Sequence, residues 1–241
     1  MIVTLSRVGG CRVREPRLPA GGPGTIAPMN VVPLARLARE RRLDPASAVP
    51  VMRAVLAREG LLVEDGVDGA TLAVVRPFLD GALSLTCGHA ECDVMAPRLR
   101  GGAVVHTTAH RCCVCGGSAN ERARARIHAA CISSGARRLV VVGGSPSHRD
   151  ELVGGGARRE RDVVRPLGIE WRFVDGTGRR TEAAARADIA WADLVVVWAP
   201  TQLGHTVSDR YTGPGRHPRT ATCTRKGVGA LADTIADALG P

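Results

Sequence analysis

From about residue 137 onward, four continuous apolar runs, 139–142, 171–174, 194–198 and 220–224, alternate with stretches of helical period. Runs of this kind are strands buried on both faces, the habit of a parallel sheet covered by helices. Residues 183–191 and 230–239 carry two such helices. Another begins upstream, where Ser118 and Glu121 have capping-box spacing, Ala119, Ala123, Ile127 and Cys131 form an apolar stripe, and Gly135 ends it. Nearer the start the period is weaker. Leu34, Leu37 and Ala38 make a short stripe, and Asp44-Pro45 opens a second helix that buries Met52, Val55 and Leu56 and stops at Gly60. Runs at 61–63 and 72–75 flank an Asp/Gly-rich turn and predict a hairpin, so residues 31–80 read as a small helical region, either a winged-helix-like module, though without a basic recognition helix, or a small packing subdomain. Residues 1–30 lack a hydrophobic period and read as a disordered basic tail, with Met29 where that composition ends.

Two cysteine clusters separate these regions: Cys87-Gly-His89-Ala-Glu-Cys92, then Cys112-Cys113-Val-Cys115-Gly116-Gly117. Cys112 and Cys115 have the C-x-x-C-G spacing of a zinc knuckle, in which a tight turn aims two thiolates at one ion. A tetrahedral Zn²⁺ needs two further ligands. Cys92 with either Cys87 or His89 fits a short loop, and His110 and Cys113 are reserves. The alternatives are a dithiol, an iron–sulfur cluster or buried thiols. Residues 81–117 are thus expected to form a zinc-binding knuckle or ribbon module, and residues 118–241 a Rossmann-like domain. Cys11, Cys131 and Cys223 fall outside both clusters and are expected to be chemically idle.

Eight cysteines in an oxidising compartment would suggest disulfides, but the knuckle spacing and an N-terminus unlike a signal peptide favour a reducing one, hence the cytoplasm. No apolar run approaches the roughly 20 residues that span a bilayer. A net charge of +10 favours polyanions and keeps nucleic acid as a partner. Composition tempers this: Lys226 is the one lysine among 33 basic residues, an arginine bias that looks like a GC-rich genome. Arg122, Arg124, Arg126 and His128 can touch phosphate, or simply be solvated on a helix face.

Every strand of the sheet ends in residues with special backbone freedom or polar chemistry: Gly143-Gly144-Ser145, Asp175-Gly176-Thr177, Pro200-Thr201 and Thr224-Arg225-Lys226-Gly227. Open α/β sheets bind ligands at that carboxyl edge. Gly143 and Gly144 allow a close turn into a helix whose N–H groups, with Ser145 and Ser147, attract an anion. Asp175 can bond ribose hydroxyls, Arg179, Arg180 and Lys226 can reach phosphates, and His205 can act as a general base. Neither G-x-G-x-x-G nor a P-loop is present, so ordinary NAD binding and P-loop ATP hydrolysis are not supported.

The order Val-Val-Gly143-Gly144, Asp175-Gly176, Ala192-Asp193-Leu-Val-Val-Val and then His205 resembles a bacterial family of small Rossmann-like domains of unknown function, over roughly residues 137–239. The Gly154-Gly155-Gly156 and Arg158-Arg159-Glu160-Arg161 stretch departs from that pattern by lengthening the first crossover. The resemblance implies a fold and a site location, not a reaction. Three readings follow. The first is a zinc-stabilised binding or regulatory protein that holds a nucleotide-like ligand or nucleic-acid phosphates. The second is an enzyme acting on a nucleotide or nucleoside, with Asp150, Glu151, Asp175 or His205 as acid–base candidates. The third is an assembly subunit.

Overall fold

In a computed structural model, residues 30–153, 168–200 and 203–240 are described. The expected tail, Cys11, Met29, the 154–161 stretch and Thr201 lie outside them. At the centre is a four-stranded parallel sheet of β5 (Arg138–Gly143), β6 (Glu170–Val174), β7 (Leu194–Trp198) and β8 (Thr220–Cys223), in the order β6-β5-β7-β8. The apolar runs are continuous because alternate residues enter two different cores. Leu139, Val141, Leu194, Val196 and Trp198 pack with α5 (Ala119–Ser134) and α9 (Val228–Leu239), whereas Val140, Val142, Val195 and Val197 pack with α7 (Glu182–Trp191) and α8 (His205–Thr212). Ser118 caps α5 by accepting from the Glu121 N–H, and Gly135 ends it in the left-handed region at φ +75°.

Asp193, just before β7, has a fixing role. Its carboxylate accepts from the Arg137 and Arg138 amides at 2.8 and 2.9 Å, tying the amino edge of β5 to that of β7. Asp193 is therefore a strand-edge brace, on the side away from the strand ends that carry the candidate ligand residues.

The earlier region has its own core, with β1 (Val31–Pro33), α1 (Leu34–Glu40), α2 (Pro45–Arg58), β2 (Gly66–Asp68) and α3 (Leu72–Ala82). Asp44 caps α2 as its sequence predicts. The hairpin is a misreading: residues 72–75 form the first turn of α3, and β2 pairs antiparallel with β1. Asp68 starts a 3-10 turn by accepting from the Ala70 N–H, and that turn runs into α3. Next come β3 (Leu83–Thr86), α4 (Ala90–Arg100) and β4 (Ala103–His106), a parallel pair joined by a helix. Among the described residues no helix is long and apolar enough to cross a membrane.

The basic run on α5 does not form a phosphate face. Arg124 is buried and paired with Glu121, Arg126 bonds Asp233 and Glu91, and Arg122 meets His89. His128 is 5% exposed, and its Nδ1 has no hydrogen-bond partner among the described residues. Burial, with Arg124 adding repulsion, pulls its imidazole down from 6.5 to about 4. The unfolded chain therefore binds the extra proton more tightly. The contribution to stability is fully present above about pH 6.5 and is lost as pH falls toward 4, amounting to about 2 kcal/mol between about pH 7 and pH 5. Urea melts at those two pH values should show His128→Leu losing about that much less stability on acidification than the parent. Equal losses would contradict the assignment.

Candidate metal centre and carboxyl-edge cleft

Four side chains from three local structures meet at one point. Cys87 follows β3, Cys92 lies in the first turn of α4, and Cys112 and Cys115 sit in the loop between a 3-10 turn at Ala109–Arg111 and α5. The loop from Cys112 to Ser118 is held by its own backbone. The Gly116 N–H donates to the Cys112 carbonyl at 3.0 Å and Ser118 N–H to that of Cys115 at 2.8 Å, and Cys113 N–H bonds the Leu85 carbonyl, fixing the loop on β3. Gly116 and Gly117 take φ of +53° and +84°, which side chains rarely adopt.

The four sulfurs all lie within 4.8 Å of one another, with Cys87 Sγ 3.6 Å from Cys92 Sγ and 3.7 Å from Cys115 Sγ. A tetrahedral ion with metal–sulfur bonds of about 2.3 Å separates its thiolates by about 3.8 Å, so the cluster fits one. These distances are far too long for disulfides, and all four thiols are free. Burial, followed by the nearby Cys112 sulfur, pushes the Cys92 thiol far up, and burial raises that of Cys115 to about 11. Burial opposes ionisation of Cys112 as well, yet the amides of Cys115 and Val114 hold its thiol below the ordinary value. A dication is the natural replacement for protons among four such groups. The cluster can thus hold a metal ion.

The alternates fall outside it. His89 is the N-cap residue of α4 with its Nε2 at 2.7 Å from Arg122, His110 meets the Thr108 hydroxyl, and Cys113 is not among the four converging sulfurs. Cys131 is buried against the sheet, as its place in the α5 stripe predicts, with burial raising its thiol to about 12, and Cys223 is buried there too.

A second feature lies at the carboxyl edge. The chain leaves β5 for β6 on one side, while β7 lies on the other, and a cleft of about 490 Å³ opens where the order reverses. Gly144, Ser145, Asp175, Thr177 and Lys226 all line it, together with His148, Arg149, Trp198 and Gly227. Gly144 has φ +80°, and a Cβ there would stand 2.6 Å from the Trp198 ring. Glycine is required so that the backbone can cross the indole and enter α6 (Pro146–Val153). Arg149 donates to the Gly143 and Val174 carbonyls at 3.1 and 3.3 Å, bridging the ends of β5 and β6. Asp175 accepts from the Thr177 amide and hydroxyl, both at 2.9 Å, and these bonds lower its carboxyl pKa.

Several candidates are placed elsewhere. His205 begins α8, exposed, on this same edge, where the Gly204 N–H bonds the Gly176 carbonyl at 2.7 Å, but it is not among the residues lining the cleft. Gly143 ends β5 without lining it, and Arg179 is exposed outside it. Arg180 instead pairs with buried Asp188. Ser147 bonds Ser145 at 3.1 Å, and Asp150 and Glu151 are exposed on α6, Glu151 accepting from Asn120. His148 was the residue missed. Its Nδ1 is 2.7 Å from Ser145 Oγ, and its ring packs on Trp198 with centroids 5.4 Å apart. The signal was the Ser-x-x-His spacing at a helix start, which places both side chains over one turn. Compared with known proteins, this chain matches no family model, no curated protein and no solved structure.

Proposed function

We propose that this chain is a zinc-stabilised, Rossmann-like binding protein whose carboxyl-edge cleft takes the phosphate of a nucleotide-like ligand. The observation that carries this reading is the convergence of Gly144, Ser145, Asp175, Thr177 and Lys226 from three strand ends in one cleft at the strand-order reversal. Lys226 supplies a positive charge, the start of α6 faces the same space, and Asp175 can receive sugar hydroxyls. The strand order and the helices on both faces support the resemblance to the Rossmann-like family. Four converging sulfurs favour zinc, which thiolates bind in closed structural sites.

A small ligand is favoured over a nucleic-acid backbone for two reasons. The cleft has the volume of a small-molecule site. Several arginines are also held in internal ion pairs, as in those of Arg126 with Asp233 and Glu91 and of Arg172 and Arg180 with Asp188. Calorimetric titration with inorganic phosphate and with adenosine monophosphate should give saturable binding, weakened about tenfold by Lys226→Ala. No binding of either probe at millimolar concentration, or no effect of the substitution, would sink the cleft assignment.

A further inference from the structure

Ser145 and His148 form a pair that phosphate binding does not require. Ser145 is half-buried at the mouth of the cleft, its Oγ 2.7 Å from His148 Nδ1, and the imidazole is held against the Trp198 ring. A hydroxyl within hydrogen-bond reach of an oriented imidazole is the arrangement that activates a serine. The surroundings select the electrophile. Lys226 and Arg149 line the same cleft, so the group presented to Ser145 is an anion rather than a neutral acyl carbon. Resting on the cleft reading above, we propose that Ser145 is a nucleophile and His148 its general base, acting on a phosphate ester bound beside Lys226.

In the first step Ser145 Oγ attacks phosphorus as its proton passes to His148 Nδ1. The Oγ–P bond forms, the bond from phosphorus to the ester oxygen breaks, and the departing oxygen takes the proton from His148. Water then attacks the phosphoserine with His148 as base. Its oxygen bonds to phosphorus, the Oγ–P bond breaks, and the proton returns to Oγ, releasing phosphate and the free serine. No oxidant or further co-reactant is needed.

The competing explanation of the same geometry is helix capping, because the His148 N–H also points at Ser145 Oγ, at 3.4 Å. Substitutions separate the two. Asparagine caps as well as serine but has no hydroxyl, so Ser145→Asn keeps α6 and removes the nucleophile. The full-length protein is treated with a fluorophosphonate probe and the modified residue is mapped by mass spectrometry. Label is expected on Ser145, lost in Ser145→Asn and slowed about 10²-fold or more in His148→Gln. Circular dichroism and phosphate titration of each variant report on folding and on the cleft independently. If phosphate binds but Ser145 is unlabelled, or labels equally fast in folded His148→Gln, the nucleophile is overturned while the cleft reading stands. If Ser145 labels yet phosphate does not bind, the cleft reading fails and the dyad, as proposed on a phosphate ester, fails with it.

Discussion

Natively purified protein should carry about one zinc per chain, and Cys115→Ser should release it and unfold the region around it. The cluster joins β3, α4 and the start of α5, and the apolar core around it is small, made mainly of Met95, Ala96, Val114 and Ala125 beside the cysteines themselves. Strand β3 and helix α5 are anchored in other cores as well, but α4 buries only Cys92, Met95 and Ala96, all in this one, so the metal is expected to hold α4 in place. Structural zinc supplies on the order of 10 kcal/mol, comparable to the whole stability of an ordinary domain. Cys115 is 2% exposed with the Cys87 sulfur 3.7 Å away, so a serine there leaves an incomplete ligand set that cannot be filled from solvent. Cys113→Ser is the matched control: this thiol is adjacent in sequence, half-buried and outside the converging four. It should keep the metal. Elemental analysis and thermal melts of the two variants decide the matter. Full stability without metal, or equal metal loss from Cys113→Ser, would remove zinc from this account.

The parts of this fold that could be read in advance are those where one physical demand dominates. Residues of β5 and β7 are buried on both faces, so only apolar side chains suit them, and the runs 139–142 and 194–198 announce themselves. The convergence of Cys112 and Cys115 was equally legible, because two cysteines around a tight turn ending in Gly116 point both thiols to one side. Failures came where periods conflict. In α3 the buried positions are Val75 and Leu79, a helical spacing, but Val74 is 64% exposed and makes 72–75 look like a strand. Helix α4 is short and polar, with Pro97 inside it, and only Cys92, Met95 and Ala96 are buried, so it showed no readable stripe. On α5 the charge run hid Arg124 and His128, which lie four residues apart on the buried face. At the cleft the glycines and Asp175 were visible as turn residues. Which histidine joined them depended on the register of Trp198 beside Gly143, and no local pattern reports that.

Asp188→Ala should cost about 3 kcal/mol and lower the melting temperature by roughly 10 °C. The carboxylate is 1% exposed in α7 and ties together elements from four parts of the chain. It accepts from Arg172 on β6 at 3.0 Å, from Arg180 Nε at 3.0 Å and again from Arg180 Nη2, and from the fully buried Tyr211 hydroxyl on α8 at 2.6 Å. Burial and then the bond to Asp188 raise the tyrosine to about 12, so its proton stays in place as a donor. Alanine would leave that hydroxyl without its acceptor inside the core. The loss stays at the lower end for a broken buried pair, because Arg172 and Arg180 are 37% and 32% exposed and can turn toward water. Asp188→Asn, which keeps an acceptor for Tyr211 but loses the charge, should fall between. An exposed pair gives the contrast: Arg186 and Glu182, at 77% and 65% exposure, should contribute no more than about 0.5 kcal/mol when Arg186 becomes alanine. Denaturant melts of the three variants at one pH test the ranking. Were Asp188→Ala as mild as Arg186→Ala, the network would not be what clamps α7 and α8 to the sheet.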